Sequence, residues 1–314
     1  MKRISIIVPF YNEQDVCKIF FKELNFIISD ARYKNEIQFQ FICIDDGSQD
    51  NTLQCLKDQQ DTFADMKIVE LSRNFGKENA LSAGLSICEA DSAIIIDSDL
   101  QDPPKLIYEM IDFWKIGYDS VIAKRIDRES DTFFKAWTAK LFYKIHNWIS
   151  DIQIPENSGD YRLIDRKIIT ELNKLKESNR FMKGLYAWTG FKTKVIEFVR
   201  EKRKDGKSKF STIKLLKLAI DGITSFSLVP LRISSFIGFI GAIISIFYGS
   251  YLFIKTLIYG VSLPGYASLM LGIIFFGSIQ LLSVGILGEY LGRVYDESKN
   301  RPNFIIRSIH DKTN

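Results

Sequence analysis

The sequence has few of the residues from which zinc sites are built. It contains two histidines, His146 and His310, and its four cysteines (Cys17, Cys43, Cys55 and Cys88) never occur in CxxC spacing. Structural zinc sites take four such ligands, usually with two of them closely spaced along the chain. The pattern therefore argues against a zinc site, and the scattered cysteines favour a compartment in which thiols stay reduced.

The sequence also lacks glycine-rich phosphate-binding motifs and a strong net charge. Neither GxGxxG nor GxxxxGK[ST] occurs, which argues against a dinucleotide or P-loop nucleotide held in the usual glycine loop. Its 42 basic and 38 acidic residues leave a net charge of +4, so the composition does not indicate a nucleic-acid-binding protein. The N-terminal apolar run is interrupted by Pro9 and predicts a first strand rather than a signal peptide.

Long hydrophobic runs, by contrast, are present near the C-terminus. Between Arg232 and Lys255 there are 22 uncharged residues, and between Lys255 and Glu289 there are 33, with a Pro–Gly break at 264–265. A bilayer core takes about 20 helical residues. The runs predict a transmembrane helical hairpin over 231–289, with spans at about 233–255 and 266–288. Two buried helices of a soluble domain are the alternative.

The charges around this hairpin predict its orientation. Basic residues flank it on both sides, whereas the segment between the spans has only Lys255. The positive-inside rule then places both chain ends in the cytoplasm. Residues 211–230 have the pattern of an interfacial amphipathic helix, or of an ordinary packing helix. The small residues Gly241, Ser245 and Gly249 form a row that indicates close helix packing, within the hairpin or in a homo-oligomer.

Residues 1–125 alternate apolar segments with polar turns and helical patterns. They predict strands at Ile4–Pro9, Phe39–Asp45, Lys67–Leu71, Ala93–Asp97 and Ser120–Lys124. Near-continuous apolar strands separated by helices are typical of an α/β fold with a parallel sheet covered on both faces. Ligands of such sheets bind at the carboxyl ends of the strands. Three polar segments lie at those ends: PFYNE (9–13), DDGSQDNT (45–52) and DSDLQD (97–102).

The third of these segments is a candidate metal site. Asp97 and Asp99 are one residue apart, and in an extended chain their carboxylates would lie on the same face. Two carboxylates, completed by substrate phosphates, suit Mg²⁺ or Mn²⁺. The alternative is that the acidic residues 97–102 cap a helix beginning at Pro103 and Pro104.

Six motifs occur in an order that resembles a known family. SIIVPFYNE, DDGSQDNT, SRNFGKENAL, DSDLQDPP, GDYRL and GKSKF, followed by a hairpin ending in GILGEYLGRVYDE, are similar to glycosyltransferase family 2 over essentially the whole chain. The similar branch contains dolichyl-phosphate mannose synthases and bactoprenol glucosyltransferases. The resemblance implies a GT-A (Rossmann-like, mostly parallel) catalytic domain over 1–210, then an interfacial helix (211–230), the hairpin (231–289) and a cytoplasmic tail (290–314).

The resemblance also implies roles for individual residues on the donor side. Nucleobase and ribose would be held by Pro9, Tyr11, Glu13 and Asp45, a role for which Asp46, Ser48 and Asp50 are weaker candidates because such residues commonly cap turns. The metal would be held by Asp97, Asp99 and Gln101, although an amide oxygen is a poorer ligand than a carboxylate. Lys77 is a candidate for contacting the donor, or simply a solvated lysine.

On the acceptor side, the resemblance implies a polyprenyl phosphate bound by basic residues. The candidates are Arg125, Arg128, Lys135, Arg203, Ser208 and Lys209. Asp160 matches the position of the family's proposed catalytic base. Because a phosphate monoester has a second pKa near ~6 and needs little deprotonation, the alternative roles for Asp160 are to orient the acceptor, to hold a partner such as Arg162, or to take the proton of the monoanion fraction. Asp99 is assigned a catalytic role together with Asp160, because Asp99 would hold the metal ion.

The predicted activity is an inverting transfer of a hexose from a nucleotide sugar to undecaprenyl phosphate at the bacterial inner membrane. Glucose from UDP-glucose is favoured, with GDP-mannose, UDP-galactose and UDP-N-acetylglucosamine as alternative donors. A product made on the cytoplasmic leaflet would need a separate flippase and a downstream glycosyltransferase, for example in O-antigen modification. Absence of a QxxRW motif argues against a processive synthase, and the hairpin argues against a protein or soluble glycan acceptor. A non-catalytic nucleotide-sugar-binding adaptor is the alternative from another class.

Overall fold

The computed structural model describes residues 1–28, 32, 35–63, 65–126, 158–177, 180–198, 229–259 and 265–311. The chain divides into two compact units, one formed by Met1–Gly222 with Arg301–Asn314 and the other by Ile223–Asn300. Most of the predicted interfacial helix, 211–228, lies outside the described residues. The segment 301–314, which the sequence predicts as part of a cytoplasmic tail, belongs to the unit that contains the N-terminal sheet.

The first unit is built on a sheet of eight described strands. The strands are β1 (Lys2–Phe10), β2 (Ile37–Asp45), β3 (Met66–Leu71), β4 (Ser92–Ile95), β5 (Ser120–Arg125), β6 (Ser158–Asp165), β7 (Thr193–Phe198) and β8 (Ile306–Asp311). They lie in the order β7-β5-β6-β4-β1-β2-β3-β8. Pairs β1–β2, β1–β4, β2–β3 and β5–β7 are parallel, whereas β6 and β8 run antiparallel to their neighbours.

Helices follow most of these strands. In this unit they are α1 (Gln14–Ile28), α2 (Thr52–Gln60), α3 (Lys77–Ser86), α4 (Leu106–Lys115), α5 (Arg166–Lys174) and α6 (Met182–Trp188). All five predicted strands are present, with small differences at their ends. The fourth differs most, because β4 ends at Ile95 and the predicted residues up to Asp97 continue as non-strand chain.

The central strand β1 is buried on both faces, which explains its continuous apolar sequence. On one face, Phe10 packs edge-on against Phe20 of α1, with ring centroids 5.7 Å apart. On the other face, Ile7 approaches Gly84 of α3 so closely that a Cβ atom there would lie 2.8 Å from the Ile7 side chain. Helices therefore cover both faces of the sheet at β1.

The C-terminal strand β8 completes the sheet beside β3. Arg307 and Ser308 both contact the Glu70 carboxylate at 2.9 Å, and Gln60 donates to the His310 carbonyl at 2.9 Å. Because β8 follows the two long C-terminal helices in sequence, the chain returns to the first unit after them. This pairing spans more than 200 residues of sequence, and the strand is absent from the sequence-based prediction.

A turn after β2 requires glycine at position 47. Gly47 has φ of 66°, and a Cβ atom there would lie 2.4 Å from the Arg73 carbonyl carbon and 2.6 Å from the Asn74 nitrogen. Gly117 also has a positive φ, 96°, but a Cβ there would meet nothing within 4 Å. A residue with a side chain would therefore have a strained backbone at both positions, but its Cβ atom would clash with neighbouring atoms only at position 47.

We expect Gly47→Ala to lower the free energy of unfolding by about 3 kcal/mol and Gly117→Ala by about 1 kcal/mol. The difference arises because only the first methyl group would collide with a backbone that cannot move away. Thermal unfolding of the two purified variants measures it. Equal losses of stability would show that the turn at residues 45–48 can relax away from residues 73–74.

The described part of the second unit contains two long apolar helices, α7 (Val229–Tyr259) and α8 (Tyr266–Ser298). Both are long and apolar enough to cross a membrane, with candidate spans at Leu231–Tyr251 and Gly272–Ser298 whose mean hydropathies are 1.8 and 1.6. The spans have none of their residues buried, unlike the core helices of a soluble domain. A Cβ at Gly241 would lie 3.5 Å from the Phe276 ring, so this part of the small-residue row serves packing between α7 and α8.

Candidate active site

Two acidic residues meet where the antiparallel strand β6 passes the carboxyl end of β4. In the β4–β6 pairing, Ile95 lies opposite Arg162. Continued two residues beyond Ile95 and two residues before Arg162, this antiparallel register brings Asp97 opposite Asp160. Both aspartates are largely buried, with side chains 26% and 10% exposed. The strand that carries Asp160 is inserted antiparallel into the sheet, so its neighbours do not follow from parallel βαβ order.

Lys77, the first residue of α3, lies between these two carboxylates. Its Nζ donates hydrogen bonds to Asp97 Oδ2 at 2.8 Å and to Asp160 Oδ2 at 2.5 Å. The same ammonium lies 2.7 Å from Asp97 Oδ1 as an ionic contact. Lys77 is thus part of the site, and the solvated-lysine alternative does not describe it.

The loop before Lys77 is held by the strand end of β2. The Asp46 carboxylate accepts the backbone N–H of Phe75 at 2.7 Å and that of Gly76 at 3.0 Å. Gly76 itself has φ of 91°, a conformation that residues with side chains rarely adopt. Asp46 therefore orients the turn that directs Lys77 towards Asp97 and Asp160.

The electrostatics of the cluster follow from burial and close charges. Burial raises the pKa of Asp160, but the positive charges of Lys77, Lys183 and Arg162 outweigh it and hold that pKa well below its usual value. Burial likewise raises the pKa of Asp97, and there the charge of Lys77 offsets only part of the effect. For Lys77, burial opposes the charged form, but the two carboxylates raise its pKa well above the usual value. Asp160 is therefore a weak proton acceptor as the site stands.

Asp99 lies in a turn, and the expected extended arrangement of Asp97 and Asp99 is wrong. Leu100 has φ of 55°, and the Asp99 Oδ1 atom accepts the backbone N–H of Gln101 at 3.2 Å. The chain therefore bends sharply after β4, because an aspartate can close a local turn with its own side chain. The charge of Asp99 still contributes to raising the pKa of Asp97, which places the two carboxylates near each other.

The helix after this turn begins beyond the acidic residues. It begins at Leu106 rather than at Pro103 and Pro104, with Lys105 at the N-cap position and no side-chain capping hydrogen bond. The Pro103 carbonyl instead accepts the N–H of Leu106 at 3.1 Å. The N-cap residue of this helix is therefore Lys105 and not one of the acidic residues 97–102.

The predicted donor residues lie at the ends of β1 and β2. Pro9 is within β1 and paired with Ile44, and Asp45 ends β2 opposite Phe10. Asp45 is 2% exposed, and its Oδ1 is buried without a hydrogen bond. Beyond β1, Tyr11 is 39% exposed, and the Glu13 N–H donates to Thr52 Oγ1 at 2.8 Å.

The neighbours of Asp45 have clear structural partners. Ser48 Oγ accepts the Asn12 N–H at 3.1 Å, while the Asp50 carboxylate accepts from the backbone and the hydroxyl of Thr52 at 3.0 and 2.5 Å. These contacts account for Ser48 and Asp50 as turn residues. Asp45, with its buried free oxygen, is the residue of this segment that has capacity left for a ligand.

Among the predicted acceptor residues, the structure describes Arg125. It ends β5, whose residue Lys124 is paired with Ser158 at the beginning of β6. Arg125 therefore lies at the same edge of the sheet as Asp160. The other candidates lie outside the described residues: Arg128, Lys135, Arg203, Ser208 and Lys209.

Two further charged residues, Arg162 and Glu78, support the cluster. Arg162 is 1% exposed, donates to the Gly159 carbonyl at 2.9 Å and lies 4.0 Å over the ring of Tyr186. Glu78, next to Lys77, accepts the N–H of Met182 at the start of α6 at 3.2 Å. The motif GDYRL contains Arg162, but a buried arginine in a strand could not be recognised from spacing because arginine is usually exposed.

Glu78 provides a pH-dependent test of this arrangement. Burial and the charge of Asp160 raise the pKa of Glu78 from 4.5 to about 7. The folded state thus prefers the protonated form, and the stabilisation from this group is complete below pH 4.5 and is lost as the pH rises through about 7. The glutamine of Glu78→Gln has no proton to lose in this pH range.

We therefore expect the melting temperature of the wild-type protein to fall relative to that of Glu78→Gln between about pH 5 and about pH 8. Thermal unfolding of both proteins at the two pH values measures this difference. The variant Glu89→Gln, at an exposed position, is the control and should follow the wild type. A constant difference between wild type and Glu78→Gln would contradict the proposed environment.

The fold and the acidic cluster define a GT-A-like α/β glycosyltransferase domain, followed by two helices that could cross a membrane. The family model described as Glycosyl transferase family 2 matches residues 5–172. This chain belongs to glycosyltransferase family 2, and it is a glycosyltransferase.

Individual relatives match almost the entire chain. An uncharacterised glycosyltransferase of Synechocystis sp. is 46% identical over 98% of this chain and 95% of its own length. The bactoprenol glucosyl transferase of Shigella phage SfV is 45% identical over 99% of this chain and 100% of its own length.

Among solved structures, the crystal structure of S. aureus TarS in complex with UDP-GlcNAc has a TM-score of 0.48 at 16% identity, covering 72% of this chain and 66% of that one.

Proposed function

We propose that this protein transfers glucose from UDP-glucose to undecaprenyl phosphate at the cytoplasmic face of the bacterial inner membrane. The observation that carries the proposal is the 45% identity to a bactoprenol glucosyl transferase over nearly both full lengths, apolar C-terminal helices included. The catalytic unit contributes an acidic cluster at the carboxyl edge of the sheet. The acceptor is then a lipid phosphate presented at the membrane surface.

The residues at the end of β4 fit a divalent metal ion. Asp160 Oδ1 is a buried oxygen without a hydrogen bond, both Asp97 oxygens contact the Lys77 ammonium, and Asp99 lies near Asp97. Among the described residues, no group of three or more Asp, Glu, His or Cys side chains is arranged to hold a metal. Two carboxylates completed by substrate oxygens are typical of Mg²⁺ or Mn²⁺. Asp97 and Asp99, with Gln101 next to them, would hold the ion, which would neutralise the charge of the departing diphosphate.

The protein's own contribution is to position two charged substrates. Asp45 has a buried acceptor oxygen for a nucleobase N–H, and Tyr11 offers an exposed ring for stacking beside it. Arg125, with Arg128, Lys135, Arg203, Ser208 and Lys209 assigned from sequence, would bind the lipid phosphate. A phosphate oxygen then displaces the diphosphate at the anomeric carbon with inversion, without a covalent enzyme intermediate.

We assign Asp160 the role of orienting the acceptor rather than that of a general base. Its pKa is held low by three basic groups, so it attracts a proton poorly. A phosphate monoester with a pKa near ~6 is already mostly dianionic at neutral pH and needs no base. Both facts favour a role in alignment.

The C-terminal strand supports the proposed topology. Two membrane crossings return the chain to its starting side, and β8 pairs with β3 of the catalytic sheet. The catalytic unit and the C-terminus would therefore share one side, and the flanking basic residues favour the cytoplasm as that side. Because two spans offer no pathway for a sugar, the glucosylated lipid would be moved by a separate flippase and used by a downstream glycosyltransferase.

Transfer of label tests the proposal. The full-length protein in detergent is incubated with undecaprenyl phosphate, Mn²⁺ and one of four labelled donors: UDP-glucose, UDP-galactose, UDP-N-acetylglucosamine or GDP-mannose. We expect label from UDP-glucose to enter the organic phase, and only when the lipid is present. Preferred use of another donor would contradict the assignment of glucose. Donor binding without any transfer would indicate the adaptor alternative.

A further inference from the structure

The position of Lys77 suggests how this enzyme couples metal binding to donor binding. Its ammonium contacts both Asp97 oxygens, at 2.7 and 2.8 Å, and Asp160 Oδ2 at 2.5 Å. A lysine ammonium is a compact point charge, similar in its oxygen contacts to a small cation. Lys77 therefore occupies the space beside Asp97 that a cation would otherwise take.

We propose that Lys77 is a built-in counter-ion which competes with the divalent metal for Asp97 and makes tight metal binding depend on the donor diphosphate. This inference rests on the proposed function, because it takes Asp97 as a metal ligand and a nucleoside diphosphate as the donor group. Without the donor, Lys77 neutralises the two carboxylates. With the donor, the diphosphate offers both a ligand for the metal and an alternative partner for the ammonium.

The surroundings of Lys77 support this exchange. The Lys77 side chain is 39% exposed, so it has room to turn away from Asp97 without disturbing the core. Its backbone is fixed, since Asp46 holds the N–H groups of Phe75 and Gly76 just before it. A flexible side chain on a fixed base can move between two nearby anions. Asp160 remains a partner while Asp97 is released.

Charge balance gives the physical reason for the coupling. With Lys77 in place, two aspartates share one ammonium, and a divalent ion entering alone would face that ammonium at close range. A diphosphate brings negative charge that attracts both cations. The metal and the nucleotide should therefore raise each other's affinity, by an amount that binding linkage requires to be the same in both directions.

Equilibrium titrations of the full-length protein with Mn²⁺ alone, and with Mn²⁺ in the presence of UDP, test the inference. We expect UDP to raise the Mn²⁺ affinity of the wild type by about 10- to 100-fold. In Lys77→Met, which keeps the side-chain length without the charge, Mn²⁺ alone should bind about tenfold more tightly than to the wild type, and the effect of UDP should shrink accordingly. Lys77→Arg keeps the charge and should keep most of the coupling.

Two controls make the result specific. Lys167→Met removes an exposed lysine that pairs with Asp119 at 3.1 Å, away from the cluster, and should titrate like the wild type. Asp97→Asn should weaken Mn²⁺ binding in every background. Thermal unfolding adds a readout that is independent of turnover, since Mn²⁺ should raise the melting temperature of Lys77→Met more than that of the wild type.

The outcomes separate this inference from the proposed function. If Lys77→Met binds Mn²⁺ no more tightly than the wild type while Asp97→Asn still weakens binding, Lys77 does not compete with the metal and the inference is overturned. If Asp97→Asn binds Mn²⁺ as the wild type does, the metal assignment itself is wrong and the inference fails with it. Tighter Mn²⁺ binding by Lys77→Met, with reduced coupling to UDP, supports both.

Discussion

Replacing Asp99 by asparagine is expected to lower the rate of glucosyl transfer by about 10²–10³-fold while leaving the fold intact. The carboxylate lies in a half-buried turn, where it accepts a local hydrogen bond from the Gln101 N–H, and asparagine can accept the same bond. What the variant loses is negative charge beside Asp97. Preorganised charge that stabilises a leaving group is commonly worth this much in rate.

Steady-state assays with labelled UDP-glucose and undecaprenyl phosphate measure the effect, and thermal unfolding checks the fold. Asp58→Asn is a suitable control, because Asp58 is an exposed helical residue that pairs with Gln54 at 2.9 Å, and it should retain full activity. Full activity of Asp99→Asn in the absence of added divalent metal would remove the metal from the mechanism.

Replacing Asp160 by asparagine is expected to reduce transfer by about 10²-fold, by disturbing alignment rather than by removing a base. Asparagine keeps the shape of the side chain, but it cannot balance the charge of Lys77, which contacts Asp160 Oδ2 at 2.5 Å. The lipid phosphate would still ionise with its own pKa near ~6. The residual activity should therefore rise with pH in parallel with that of the wild type.

The pH dependence of kcat/KM for both proteins distinguishes the two roles of Asp160. Parallel profiles, each levelling above the phosphate pKa, agree with an orienting aspartate. A variant whose rate keeps rising with hydroxide concentration, where the wild type has levelled, would show that Asp160 acts as the general base.

The strands β1 to β5 could be predicted from the sequence because their signal is local, whereas β7, which pairs parallel with β5, is absent from the sequence-based prediction. The strands β1, β2, β3 and β5 are apolar runs bounded by turn residues, and most of their residues are buried. The polar ends of β1 and β2, with Tyr11 and Asp45, follow from the rule that ligands bind at the carboxyl edge.

The antiparallel strands could not be predicted in the same way. β6 begins 33 residues after β5 ends, and β8 pairs with β3 from the far end of the chain. Such contacts depend on long-range pairing, which leaves no periodic signal in the sequence. Asp160 could be named only through the motif GDYRL. Its position opposite Asp97 follows from the register of β6.

The details of the acidic cluster also depended on tertiary contacts. A lysine at the start of a helix is usually solvated, and the role of Lys77 becomes visible only when Asp97 and Asp160 lie on either side of it. The turn at Asp99 was missed because an aspartate after a strand can either extend the chain or close a turn. The left-handed backbone conformation of Leu100 shows that the chain forms a turn here.

The central claim is that Asp97 and Asp99 hold a divalent ion which in turn binds the diphosphate of the donor. Calorimetric titration of UDP into the full-length protein, with and without Mn²⁺, tests it most directly. We predict that Mn²⁺ strengthens UDP binding to the wild type, and that the double variant Asp97→Asn/Asp99→Asn binds UDP equally weakly under both conditions. An equal enhancement by Mn²⁺ in the wild type and in the double variant would contradict the claim.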